Sequence, residues 1–103
     1  MGTPDLLREA IASRAVVELV YRSDAHQRVC HPHILYQSST GKILVDTYQV
    51  GGYSSSDPLP GWRPFDVSQI TSLRLRRERF DVAPGYNPAN RKRYVRVLAA
   101  IQQ

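Results

Sequence analysis

A proline falls inside what otherwise reads as a β-strand. After the short polar stretch Arg22-Ser23-Asp24-Ala25-His26, residues Gln27 to Tyr36 return to strand-like composition, and Pro32 interrupts them. Proline has no N–H to give to a sheet ladder, so a strand with one in its middle either lies at an edge or bends sharply. Small barrels use such bends to pass one strand between two halves of a sheet. A chain of 103 residues makes one domain with room for only a modest core, which suits a short, strongly curved sheet.

The remaining segments read around that bend. Thr3-Pro4-Asp5 supplies a hydroxyl able to cap, a proline for the first helical position and an acid near the positive dipole end, predicting a helix to about Ser13. Leu7, Ala10, Ile11 and Arg14 fall on one side of it. Ala15 to Tyr21 then alternates as a first strand, with Val17, Leu19 and Tyr21 on one face and Val16, Glu18 and Val20 on the other. Ser38-Ser39-Thr40-Gly41 makes a turn, and Lys42 to Val50 alternates again. The segment Gly51 to Gly61, GGYSSSDPLPG, is expected as a projecting loop in which Tyr53 is the side chain suited to stacking.

Trp62 to Leu75 combines a strand, a tight turn at Ser68-Gln69-Ile70 and a second strand, with Arg63 and Phe65 on a common face. Further on, Asn87-Pro88 reads as the cap and first position of a last helix whose apolar stripe is Tyr94, Val97, Leu98 and Ile101. That stripe is expected to pack on the barrel or on another subunit, and a dimer would bury Leu98 and Ile101. The fold class is therefore mainly β (α+β): a small, five-stranded, strongly bent β-barrel with an N-terminal and a C-terminal helix. Residues 1–80 hold the first helix and the barrel, and 81–103 form an extension with the terminal helix.

Charge is unevenly placed. Residues 1–61 carry five Lys or Arg against six Asp or Glu, while residues 62–103 carry nine against three, so the net +5 belongs to the last part of the chain. Such asymmetry points to a polyanionic partner such as nucleic acid. An arginine beside an aromatic at Arg63 and Phe65, followed by the basic run Arg74, Arg76, Arg77 and Arg79, makes a candidate anion-reading surface, with Arg74 and Arg76 on one strand face. Arg91, Lys92, Arg93 and Arg96 form a second basic cluster left for solvent or phosphate.

Other chemistry is weakly supported. His26, Cys30, His31 and His33 invite a metal reading, but Cys30 and the two later histidines point to opposite faces and no second cysteine exists, so no metal or other cofactor is expected. The acids Asp24, Asp46, Asp57 and Asp66 are scattered singly and no phosphate-cradling glycine loop is present, so a nuclease-like enzyme is disfavoured and no catalytic residue is assigned. A single cysteine fits a reducing compartment, and no apolar run is long enough for a bilayer or a signal peptide, making a cytoplasmic protein without membrane contact the expectation.

The order of several short motifs resembles a WYL domain. Ala10-Ile11 stand in the leading helix, strand one ends in Tyr21, Arg28 lies four residues before Pro32, Gly41 to Leu44 follow, and Arg63-x-Phe65 precedes Ile70. Where that family carries Trp-Tyr-Leu, this chain has Lys42, Ile43 and Leu44, and Gln69 stands where a basic residue is common. The resemblance implies an Sm-like barrel that senses a ligand, commonly nucleic acid, in bacterial regulators of transcription, DNA damage or phage defence. It implies a free-standing member, because one N-terminal helix is too little for a DNA-reading pair. It places ligand chemistry on Tyr21, Arg28 and Arg63 with Phe65 behind, and Tyr48 joins them as an aromatic. The expected partner is single-stranded nucleic acid or a phosphorylated, nucleotide-like ligand, with Arg74, Arg76, Arg77, Arg91, Lys92 and Arg93 as the nucleic-acid face. The alternative is a protein–protein interaction or oligomerisation module, homodimer included, whose basic face is incidental.

Overall fold

The computed structural model describes residues 2–54 and 58–102. Helix α1 (Thr3–Ser13) begins one residue earlier than the hydroxyl of Thr3 suggests. Gly2 is the N-cap, in an extended conformation and without a side-chain cap, and its carbonyl accepts from the Leu6 N–H at 3.1 Å. Leu7, Ala10 and Ile11 are buried as the apolar stripe requires. Arg14 ends the helix in the left-handed region, at φ 56°, with its N–H on the carbonyls of Ala10 and Ile11, and the chain passes straight into the sheet.

Six strands follow: β1 (Ala15–Tyr21), β2 (Arg28–Gln37), β3 (Ile43–Gly52), β4 (Gly61–Asp66), β5 (Ile70–Arg79) and β6 (Arg96–Ala100), with a 3-10 turn at Val67–Gln69 between β4 and β5. All pair antiparallel in the order β4-β3-β2-β1-β5, with β6 also on β2. Strand β2 is the spine. One of its edges pairs with β3 along its whole length, from Arg28↔Gly52 to Gln37↔Ile43. The other edge is shared, because β1 pairs only as far as Cys30 while β6 takes over from Ile34 to Gln37. Pro32 lies between the two, where the β3 register also shifts. The proline therefore marks a bend at which one strand changes partner, in a position that no single neighbour spans.

Two expectations need correction. The sheet is not closed into a barrel: β4 and β5 end the strand order, with no ladder between them among the described residues. Side chains bridge the gap instead, since the Asp66 N–H donates to the Tyr21 hydroxyl at 3.1 Å and the Tyr21 ring meets Phe65 edge-on at 4.8 Å. There is also no C-terminal helix. Residues 81–95 run irregularly through turns, Asn87-Pro88 caps nothing, and Arg96–Ala100 form β6, a sixth strand where five were expected.

The physical reason is competition. A five-residue run such as Arg96–Ala100 fits either period, and the half-edge of β2 that β1 leaves at Pro32 offers ladder bonds that a lone short helix cannot match. As a result Ile101 is 4% exposed inside the chain's own core, with its N–H on the His33 carbonyl, rather than on an open helical stripe. The core joins α1 to the inner sheet face through Leu7, Ile11, Val17, Leu19, Leu35, Val45 and Phe65.

Candidate functional site

Register sorts the expected ligand residues onto two faces. Thr47 pairs with Arg63 and Tyr48 with Trp62, so Arg63 and Phe65 share one face of β4 while Tyr48 and Trp62 share the other. Arg28 stands on the Arg63 side: its guanidinium lies 5.3 Å from the Phe65 ring centre, and both arginines act on the Cys30 thiol. That thiol is nonetheless pushed up to about 12 by burial, so it stays protonated. Tyr21, Arg28 and Arg63 are thus brought to one side of the sheet, and Tyr48 is not.

Bringing them together does not leave them free. Arg28 is 11% exposed, pairs with Asp24 at 3.0 Å, donates to Gln49 Oε1 at 3.4 Å and is held between the rings of Phe65 and Tyr53. Its Nε is buried without a partner among the described residues. Gln49, fully buried, donates to the carbonyls of Gly51 and Tyr53, so this network fastens the start of the 53–60 loop. Residues 55–57 of that loop, Asp57 included, lie outside the described residues. Arg63 folds over the loop's other end, donating to Trp62 O at 2.9 Å and Pro58 O at 3.1 Å. Tyr21 is an edge-to-face packing partner whose hydroxyl accepts from Asp66.

The opposite face carries a cluster that the sequence reading passed over. His33 is fully buried, donates from Nδ1 to the His31 carbonyl at 2.7 Å and accepts at Nε2 from the Ala83 N–H at 3.0 Å. Burial drives its pKa down to about 4, so the ring is neutral. This arrangement uses both ring nitrogens within the fold. Trp62, Phe80 and Tyr86 surround the ring at 4.8, 5.1 and 5.2 Å. The indole N–H donates to Pro84 O at 2.9 Å, and Tyr48 packs on Trp62 at 5.5 Å.

Next to this cluster sits Asp46, 4% exposed. It accepts from Arg93 Nε at 2.7 Å and Nη2 at 2.9 Å, from the Tyr94 hydroxyl at 2.8 Å and from the Tyr36 hydroxyl at 2.9 Å. The bidentate carboxylate raises the Arg93 pKa further, while burial and then Asp46 push Tyr94 up to about 12. The C-terminal segment is therefore riveted to the sheet at His33, Trp62 and Asp46. Between it and β4 opens a cleft of about 460 Å³, lined by Trp62, Arg63, Tyr86, Asn87, Asn90 and Arg93, with Asp46 and Tyr94 at its base. The Trp62 and Tyr86 rings are within 19° of parallel, with centres 6.5 Å apart. Gly85, at φ +86°, lets the turn come close: a Cβ there would stand 3.3 Å from the indole nitrogen.

The two basic clusters divide differently from the sequence reading. Arg76 pairs with Glu18 at 2.7 Å and with Glu78 at 4.0 Å, and Arg74, 80% exposed, also reaches Glu18 at 3.7 Å. The Arg74–Arg76 face is thus an ion-pair ladder with its charge offset by two acids. Arg93 is a structural anchor of the C-terminal segment rather than a free cation. Arg77, Arg91 and Lys92 are exposed or partly so, and their side chains make no hydrogen bond or ion pair among the described residues.

No protein-family model matches the chain, and the comparisons with curated proteins and with solved structures found no match. No described helix is long and apolar enough to cross a membrane. Of the cleft residues, Arg63 and Arg93 stood in the sequence reading as site residues, whereas Trp62, Tyr86, Asn87 and Asn90 did not. The available signal was the chain's one tryptophan standing beside Arg63.

Proposed function

We propose that this chain is a non-catalytic binding module for a phosphorylated, nucleotide-like ligand or a short stretch of single-stranded nucleic acid, seated in the cleft between β4 and the C-terminal segment. The observation that carries the reading is the meeting of two near-parallel aromatic rings, Trp62 and Tyr86, in one cavity of about 460 Å³ whose lining also includes Arg63 and the Asp46-bound Arg93. Aromatic planes stack on bases whatever their identity, and arginine forks match phosphate oxygens. The exposed cations Arg91 and Lys92, next to Asn90 and Arg93 in the chain, suit a continuing backbone. The WYL-like motif order supports a ligand-sensing role in a bacterial regulatory or defence setting. In this reading Arg28 holds the neighbouring loop while Arg63 meets the ligand.

Fluorescence anisotropy with a labelled single-stranded oligonucleotide across a salt series tests it. Affinity is expected to fall by roughly 0.7 log units per log of salt for each phosphate neutralised. Arg63→Ala is expected to weaken binding about tenfold, the loss of one charge-assisted contact. An oligonucleotide that gives no signal at low salt, together with mononucleotides that give none, removes the reading. Docking onto a protein is the second reading, favoured by the exposure of Val95 (57%), just before β6, and Val97 (46%), within it. Light scattering that reports a concentration-dependent dimer, abolished by Val97→Lys, would favour it.

A further inference from the structure

Strand register builds a row of rings across the face of the sheet that carries His33. His31 on β2 pairs with Tyr48 on β3, and Tyr48 pairs with Trp62 on β4, so the three side chains stand side by side on one rung. They are not equally engaged. The His31 ring is stacked on Phe80, with centres 4.7 Å apart and planes 6° from parallel. Trp62 lines the cleft beside Tyr86. Tyr48, between the two, meets a single ring, that of Trp62, at 5.5 Å with the planes 68° apart. An edge-to-face contact covers at most one face of a ring, so Tyr48 keeps a face that no other aromatic among the described residues covers. The residue is half-buried, and its hydroxyl makes no hydrogen bond among the described residues.

A tyrosine held at a fixed rung and spent on one ring contact is a stacking surface already in place. Aromatic side chains on the face of an antiparallel sheet take successive bases of a single strand, each base on its own ring and with little regard to its identity. The inclination of the two rings sets the kind of strand. Bases laid on Tyr48 and on Trp62 would themselves be inclined by about 68°, splayed rather than stacked on one another, which an unpaired strand permits and a duplex does not. Arg63 supplies positive charge beside the same rung: it lines the cleft, and its Nη1 donates to the Trp62 carbonyl at 2.9 Å. With Nη2 on Pro58 O, its Nε remains unspent among the described residues.

We propose that Tyr48 is a second base seat next to the cleft, so that the chain takes two consecutive, splayed nucleotides of a single strand rather than one mononucleotide. The inference rests on the cleft being a nucleotide seat. Isothermal titration calorimetry of the full chain at low salt is the test, with thymidine 5′-monophosphate, the 5′-phosphorylated dinucleotide pTpT, and the two dinucleotides in which either the first or the second nucleotide is abasic. The dinucleotides carry equal charge, so differences among them report bases and not phosphates. pTpT is expected to bind about fivefold or more tighter than each abasic dinucleotide, the gain from one stacked base. Tyr48→Phe keeps the ring and is expected to keep that gain, whereas Tyr48→Leu removes the ring and is expected to bring it below about twofold. An abasic dinucleotide that binds the parent chain as tightly as pTpT would overturn the second seat and leave the cleft standing. A gain that survives Tyr48→Leu, or one that is lost in Tyr48→Phe, would overturn the stacking role given to Tyr48. Silence of all four probes would overturn the second seat and the cleft together.

Discussion

Replacing Asp46 by asparagine removes the charge that gathers Arg93, Tyr94 and Tyr36, and leaves at least one donor of the four unpaired. Breaking a buried, hydrogen-bonded charge pair from one side is costly, and Arg93 is 44% exposed, so solvent recovers part of the loss. Asp46→Asn is expected to destabilise the chain by about 2 kcal/mol in urea unfolding and to weaken ligand binding, because the cleft loses its base. His33 gives the chain a pH dependence. Its folded pKa of about 4 lies below the ordinary value of 6.5, so the unfolded state binds the proton first. Its contribution is unaffected above about pH 6.5 and is lost as pH falls toward 4, by roughly 3 kcal/mol in all. Urea midpoints measured between pH 7 and 4.5 are expected to fall, and to fall less in His33→Gln, which is already weaker at pH 7. Both residues were weighed in the sequence, His33 for a metal and Asp46 for catalysis, but their structural role was not legible, because a lone Asp or His on a strand shows its partners only once strands 10 or more residues apart are in register.

At the scale of elements, the strands and the first helix were legible because each has a period of its own. Ala15 to Tyr21 was read with its observed bounds, and Trp62 to Leu75 gave a strand, a one-turn connection and a second strand, with the turn one residue earlier than read, at Val67–Gln69. Pro32 announced a bend, and the bend is where β1 hands the β2 edge to β6. The terminal helix was misread because Tyr94, Val97, Leu98 and Ile101 fit a helical stripe, while the deciding groups, the Arg93 and Tyr94 contacts with Asp46 and the open half-edge of β2, are non-local. The turn at Gly85 makes an element-level test. Gly85→Ala forces a side chain into φ +86° and against Trp62, and is expected to cost about 1–2 kcal/mol and to shift the emission of the chain's one tryptophan. An unchanged midpoint and spectrum would mean that the turn does not press on Trp62.

Across the whole molecule, the basic balance of residues 62–103 was read correctly as a number and incompletely as a surface. Two of the arginines on β5 are offset by Glu18 and Glu78, and Arg93 is tied to Asp46, so the cations left for a ligand lie around the cleft and on the C-terminal segment. Likewise the small curved sheet was legible and its closure was not: whether β4 meets β5 depends on a few side chains, Tyr21 and Phe65 among them, that bridge the opening without a ladder. The most direct test of the cleft as the binding seat is chemical-shift mapping of the labelled protein as a short 5′-phosphorylated oligonucleotide is added. The indole N–H of Trp62, the side-chain amide of Asn90 and the backbone amides of Gly85 and Tyr86 are expected to move together and saturate. Shifts confined to Tyr21, Arg28 and β5, with Trp62 and Asn90 silent, would contradict the account.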